Sequence, residues 1–186
     1  PAALDTLPFR LLEKTKTDAR FSSEFMLVNY SGTRLDIGIE RNISLLSTAE
    51  TEAALGVKIP GSVRSVAYQS ENSLRNSGNI TWTDKTGKLS VWMLAMFTPS
   101  PGVTIFVPYK QGSEKELGKV LNDDYFGKVP ADRLIAENGM IYLKADGKYR
   151  SKIGIPPQRA LPFSGSYDSV HHALTILWCE LHPGNT

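Results

Sequence analysis

Residues 82–109 read WTDKTGKLSVWMLAMFTPSPGVTIFVPY, and the fold of this chain turns on how that stretch is taken. Leu89 to Phe97 and Val103 to Val107 are its two dense apolar runs, both rich in aromatic and β-branched residues. Between them, Thr98-Pro99-Ser100-Pro101-Gly102 continues neither run. The two prolines lack a donor, and Gly102 enters turn conformations that other residues avoid. The reading is a hairpin of two buried strands, central to a sheet.

Outward from this stretch the pattern repeats. Phe25 to Tyr30 is a strand candidate, and Ser31-Gly32 a turn. In Arg34–Leu45 the residues Leu35, Ile37, Ile39, Ile43 and Leu45 share one parity against Arg34, Asp36, Glu40 and Asn42. A period of two means a strand with one wet face. Arg41 falls on the inward parity, which leads us to expect a bulge beside it. Ser47-Thr48-Ala49-Glu50 has the spacing of a capping box and Gly56 is a natural stop, so one short helix is expected between them. Val63–Asn72 reads as a strand and Asn76–Asn79 as a turn. Glu114–Leu117 suits a single helical turn.

Farther on, Met140–Leu143 and Tyr149–Ile153 flank Asp146-Gly147, a pair that favours a hairpin. Phe163–Asp168 reads as irregular, and Val170–His182 as a last strand with Leu174, Ile176 and Trp178 on one side. Roughly ten short strands separated by turn signals, with one short helix, define an all-β, antiparallel β-sandwich. No internal repeat or linker divides residues 1–186, which are read as one domain.

With 186 residues, 41% of them apolar and 22% charged, the chain can bury a sizeable core. A net charge of +2 without a dense Lys/Arg cluster argues against nucleic-acid binding. No apolar run approaches the roughly 18 residues of a membrane helix, so no membrane insertion is expected. The single cysteine, Cys179, excludes an internal disulfide framework and reads as a small buried hydrophobe. The chain starts Pro1-Ala2-Ala3 and ends directly after a strand, as a piece of a longer polypeptide would. Its partners would then include the rest of that polypeptide or further copies of itself.

Few residues carry obvious chemistry. His171 and His172 are adjacent, so on a strand they point to opposite faces and cannot share a metal. No metal motif, phosphate loop or nucleophile elbow occurs, and no cofactor is expected. The best acidic cluster is Asn122-Asp123-Asp124, in which neighbouring carboxylates can raise one another's pKa for acid–base work. The same residues also make turns. Tyr125 and Tyr149 lie in polar contexts, and suit stacking better than Trp82, Trp92, Trp178 or Phe97, which sit in apolar surroundings typical of a core. Lys128, Arg133, Arg150 and Lys152 supply donors for sugar hydroxyls. On an extended strand Lys148, Arg150 and Lys152 would share one face, equally a plain solvated face.

Ser70–Gly78, followed by Leu89–Phe97 and Thr98-Pro99, resembles the aldose 1-epimerase (galactose mutarotase)-like proteins in its order of strand, Asn-x-Gly turn, strand and Pro-containing turn. More closely, Asn122–Arg133 and Asp146–Gly154 are similar to an uncharacterised family of longer bacterial proteins of the same β-supersandwich class. The resemblance runs from about Leu27 to Leu177. It implies a supersandwich with a carbohydrate ligand, in a periplasmic or extracellular setting. The mutarotase pattern carries a histidine before the proline of the turn as general acid, whereas this chain has Phe97 and Thr98 there. Its catalytic glutamate comes late in the fold, and Glu180 matches no motif for it.

The expectation is therefore a carbohydrate-binding or carbohydrate-processing protein. Asp123 and Asp124 are its candidate catalytic groups, and Tyr125, Lys128, Arg133, Tyr149, Arg150 and Lys152 its sugar-binding set. The alternative is a non-catalytic structural or interaction half of a larger protein. A glycosidase or polysaccharide lyase is a third reading, and it would need two carboxylates at a spacing that only a structure provides.

Overall fold

Period-two patterning builds most of the first half of the chain. In a computed structural model that describes residues 6–91 and 98–181, the all-β antiparallel class holds, with nine strands and two short helices among those residues. The chain divides into two compact units, Pro1–Leu94 and Ala95–Thr186, each carrying one sheet.

The first unit is a four-stranded antiparallel meander of β1 (Arg10–Lys14), β2 (Asp18–Val28), β3 (Arg34–Leu46) and β4 (Ala67–Asn76), in that spatial order. β3 takes the expected alternation, and Leu35 and Ile37 are each only 1% exposed. The burial fades along the strand, so that Leu45 at the far end is open to solvent. The bulge expected near Arg41 is absent: β2 and β3 stay in register from Asp18↔Ser44 to Val28↔Arg34. Arg41 is accommodated by chemistry instead. Its Nε donates to Asn72 Oδ1 at 2.7 Å, and its guanidinium lies 5.8 Å from the centre of the Phe9 ring. The register shift of this sheet lies between Leu11 and Glu13, in the edge strand β1.

Helix α1 (Thr48–Leu55) forms as its caps dictate. Ser47 Oγ accepts from the Glu50 amide at 3.2 Å, and the Glu50 carboxylate accepts from the Ser47 amide at 2.8 Å. The backbone turns left-handed at Gly56. β4 begins at Ala67, later than expected, and ends in a turn where Asn76 Oδ1 accepts from the Gly78 amide at 3.0 Å.

The second unit holds β5 (Val103–Pro108), α2 (Glu114–Leu117), β6 (Leu134–Glu137), β7 (Met140–Lys144), β8 (Phe163–Asp168) and β9 (Ala173–Trp178), with sheet order β6-β7-β5-β8-β9. β5 is central, as expected, but its partners are β7 and β8. The expected partner run begins at Leu89; Leu89–Val91 is not a strand, and Trp92–Phe97 lies outside the described residues. Val103, Ile141 and Leu143 share the buried face of the sheet.

Two turns depart from expectation. The hairpin between β6 and β7 is made by Asn138-Gly139, both at positive φ (51° and 79°), the type I′ geometry that matches strand twist. Asp146-Gly147 instead ends β7, and Tyr149–Ile153 is not a strand, because the edge of β7 it would use is already taken by β6. Phe163–Asp168, expected to be irregular, is β8. Gly165 makes this possible, since a Cβ there would run into the Phe106 ring and the Thr175 carbonyl.

Candidate functional site

The candidate residues of the sequence lie on two segments of the second unit, Asn122–Arg133 and Asp146–Gly154, and main-chain bonds join these segments. The Asn122 amide donates to the Gly154 carbonyl at 2.8 Å, and the Gly154 amide returns a bond to Asn122 at 2.7 Å. Asn122 Oδ1 also accepts from the Asp124 amide at 2.8 Å, closing a local turn.

That turn aims Asp123 inward. Its side chain is 11% exposed, and it accepts from Lys128 Nζ at 2.7 Å and from the Val129 amide at 3.1 Å. Lys128 Nζ reaches Asp124 Oδ1 as well, at 2.8 Å. The hydrogen bond from Lys128, reinforced by the Val129 amide, holds the Asp123 carboxyl below the usual carboxylate range. The same pairing with Asp123, and then Asp124, pushes the Lys128 ammonium upward. Adjacent carboxylates were expected to raise each other's pKa. At Asp123 the direction is the reverse, because a cation sits between the pair. Asp123 is thus an ionised clasp that closes the loop from 123 to 129.

The clasp leaves Tyr125 and Phe126 at the loop apex. Their ring centroids are 4.6 Å apart with planes at 89°, an edge-to-face pair. Tyr125 is 69% exposed. The other segment lays cations on both rings: Lys152 Nζ lies 3.9 Å from the Tyr125 centroid, and Arg150 Cζ lies 4.1 Å from that of Phe126. No strand places Arg150 and Lys152 together. The aromatic pair does.

Tyr149 and Arg133 connect this platform to the sheet. The Tyr149 hydroxyl donates to the Lys128 carbonyl at 3.3 Å, and the Arg133 guanidinium lies 5.5 Å from the Tyr149 ring centre. Arg133 forks onto Asp146, with Nη1 to Oδ2 at 3.3 Å and Nη2 to Oδ1, both side chains almost fully covered. The Arg133 contact, then the Lys148 amide, lowers the Asp146 pKa to about 2. Arg133 is held by protein, so it serves the site by fixing the loop rather than by meeting solvent.

Six of the eight candidate residues therefore stand at the surface: Asp124, Tyr125, Lys128, Tyr149, Arg150 and Lys152. Asp123 is turned in, and Arg133 is spent on Asp146. Sequence reasoning missed Phe126 and the structural part of Asp146. The signal for Phe126 was present: it shares the polar surroundings that singled out Tyr125.

Other candidates are placed elsewhere. His171 Nδ1 is 2.7 Å from Asp168 Oδ2 in the β8–β9 turn, His172 takes a left-handed backbone, and His182 lies outside the described residues. Among the described residues no cluster of three metal-ligating side chains occurs. Cys179 is exposed, contrary to the expected burial, because it follows edge strand β9. Trp178 is likewise open to solvent rather than core, while Trp92 and Phe97 lie outside the described residues. No described helix is long and apolar enough to cross a membrane.

No curated protein and no solved structure matches the chain. Its whole length, residues 1–186, matches the model of a family of unknown function, DUF6786, and the chain belongs to that family.

Proposed function

We propose that the protein binds carbohydrate on the platform formed by Tyr125 and its neighbours. The observation that carries this reading is the Tyr125 ring itself: 69% exposed, yet in edge-to-face contact with Phe126 and with the Lys152 ammonium over it. What sets Tyr125 apart is that its exposed ring adjoins a second exposed ring, Phe126, with a cation over each, so aromatic surface and charge meet at one place. A tyrosine ring, with two side-chain torsions, loses little freedom when a sugar stacks on it. Asp124, Lys128 and Arg150 place an acceptor and donors around it for ring hydroxyls.

The mutarotase-like resemblance enters this proposal as a ligand class and not as a reaction. Both Asp123 oxygens are engaged within the loop, by Lys128 Nζ and the Val129 amide, and Asp124 is paired with the same ammonium, so neither carboxylate stands free to act on a substrate. The reading is accordingly a binding protein. A glycan-array screen of the purified chain followed by titration calorimetry tests it. Tyr125→Ala should weaken any hit by about tenfold or more, close to 1.4 kcal/mol. An array without a hit, or a hit indifferent to Tyr125→Ala, refutes the proposal.

The alternative, a non-catalytic interaction half, is favoured by one observation. Phe163, Tyr167, Leu174 and Trp178 lie on the same face of the paired strands β8 and β9, and all are exposed. Sedimentation of the chain at rising concentration distinguishes the readings, since self-association through that face would remain in Tyr125→Ala.

A further inference from the structure

We infer, building on the carbohydrate reading, that the ligand is an acidic oligosaccharide whose uronate carboxylate is taken by Arg150 and Lys152 while its ring stacks on Tyr125. Four cations surround the platform, and they fall into two kinds. Lys128 is neutralised by Asp123 and Asp124, and Arg133 by Asp146. Arg150 and Lys152 are exposed, and among the described residues neither has a carboxylate within ion-pair distance. Their contacts are the faces of Phe126 and Tyr125.

The imbalance extends along the chain. From Gly147 to Tyr167 the sequence has no Asp or Glu at all, but carries Lys148, Arg150, Lys152 and Arg159. Arg159 is buried on backbone carbonyls, which leaves the others at the surface. A neutral sugar stacking on Tyr125 would have to share the ring with the Lys152 ammonium and offer it only hydroxyls. A uronic acid carries its carboxylate at the edge of the pyranose ring, beside the face that stacks. Stacking and charge pairing then reinforce each other. Arg150 adds a planar fork that suits a carboxylate.

The test uses the full chain and matched probes: oligomers of galacturonate, mannuronate and glucuronate, each beside its neutral methyl ester, with inorganic polyphosphate as an anion lacking a sugar ring. At least one uronate oligomer should bind about tenfold more tightly than its ester. Arg150→Gln/Lys152→Gln should abolish that gap, as should about 0.5 M NaCl, which screens exposed charges. Tyr125→Ala should weaken both members of the pair. Both variants are surface changes, and circular dichroism confirms their folding. Esters binding as well as acids, with the Gln variant unchanged, overturns the acidic preference and leaves the carbohydrate platform standing. Polyphosphate competing fully while Tyr125→Ala has no effect overturns it too, as a bare anion surface. Absence of binding by every oligosaccharide, together with an empty glycan array, removes the platform reading itself.

Discussion

Replacing Arg159 by methionine removes the largest fully buried side chain among the described residues, and the expected consequence can be worked from its contacts. Nε donates to the Gly118 carbonyl at 2.8 Å, Nη1 to Lys110 at 2.8 Å and Nη2 to Gly112 at 3.1 Å. The Arg159 carbonyl in turn accepts from the Lys110 amide at 2.9 Å. One guanidinium thus gathers both ends of the loop that carries α2. Hydrogen bonds from a charged donor contribute about 1.5–3 kcal/mol each. Part of that sum is offset, because the variant no longer buries a charge at a cost of several kcal/mol. A net loss of about 3 kcal/mol follows, a large share of the ~5–15 kcal/mol typical of a domain. With a urea dependence near 2 kcal/mol/M, the unfolding midpoint of the second unit should fall by about 1.5 M. Hydrogen exchange over residues 110–118 should accelerate with it. Arg159→Lys should recover little, since an ammonium is a point donor that cannot span three carbonyls. A midpoint within about 0.3 M of the parent would refute the argument, because water would then satisfy those carbonyls as well as arginine does.

Three further outcomes are expected. The Asp146 carboxyl is lowered from 3.8 to about 2 by Arg133, so its contribution to stability is complete above pH 3.8 and is lost as the pH falls through about 2. Urea midpoints measured across that window should decline in the parent protein and decline less in Asp146→Asn, which starts lower. Gly165→Ala should cost about 1–3 kcal/mol, since the new Cβ meets the Phe106 ring and the Thr175 carbonyl, and the backbone carbonyl cannot move aside; thermal unfolding measures it. Ser47→Ala removes the cap of α1 at about 1 kcal/mol, which should appear as roughly fivefold faster amide exchange within Thr48–Leu55 and little change elsewhere.

The all-β class and the position of individual strands were legible where side chains alternate, as in β3, because solvent on one face and core on the other leave a periodic record. Turn chemistry was legible only in part. Asp146-Gly147 and Asn138-Gly139 are both hairpin-forming pairs, yet only the second makes a hairpin. The first is diverted because both edges of β7 are already paired, with β6 and β5, and that is a tertiary fact. β8 was missed for a related reason. Its Gly-Ser pattern looks irregular until Phe106 of the neighbouring strand is seen to fill the space over Gly165.

The loop from Asn122 to Arg133 shows where sequence reading of a site stops. Residue types and polar context were enough to select Asp123, Asp124, Tyr125, Lys128 and Arg133 as a group, and the fold does gather them. What types alone do not reveal is the direction of each side chain. Asp123 and Asp124 are neighbours of one kind, but Asn122 Oδ1 binds the Asp124 amide and thereby turns Asp123 toward Val129. From then on, one carboxylate closes the loop while the other remains at the surface. The same division separates Arg133, paired with Asp146, from Arg150, which meets only an aromatic face. On the carbohydrate reading proposed above, ligand contacts would fall to Arg150 and Lys152 rather than to the acidic pair.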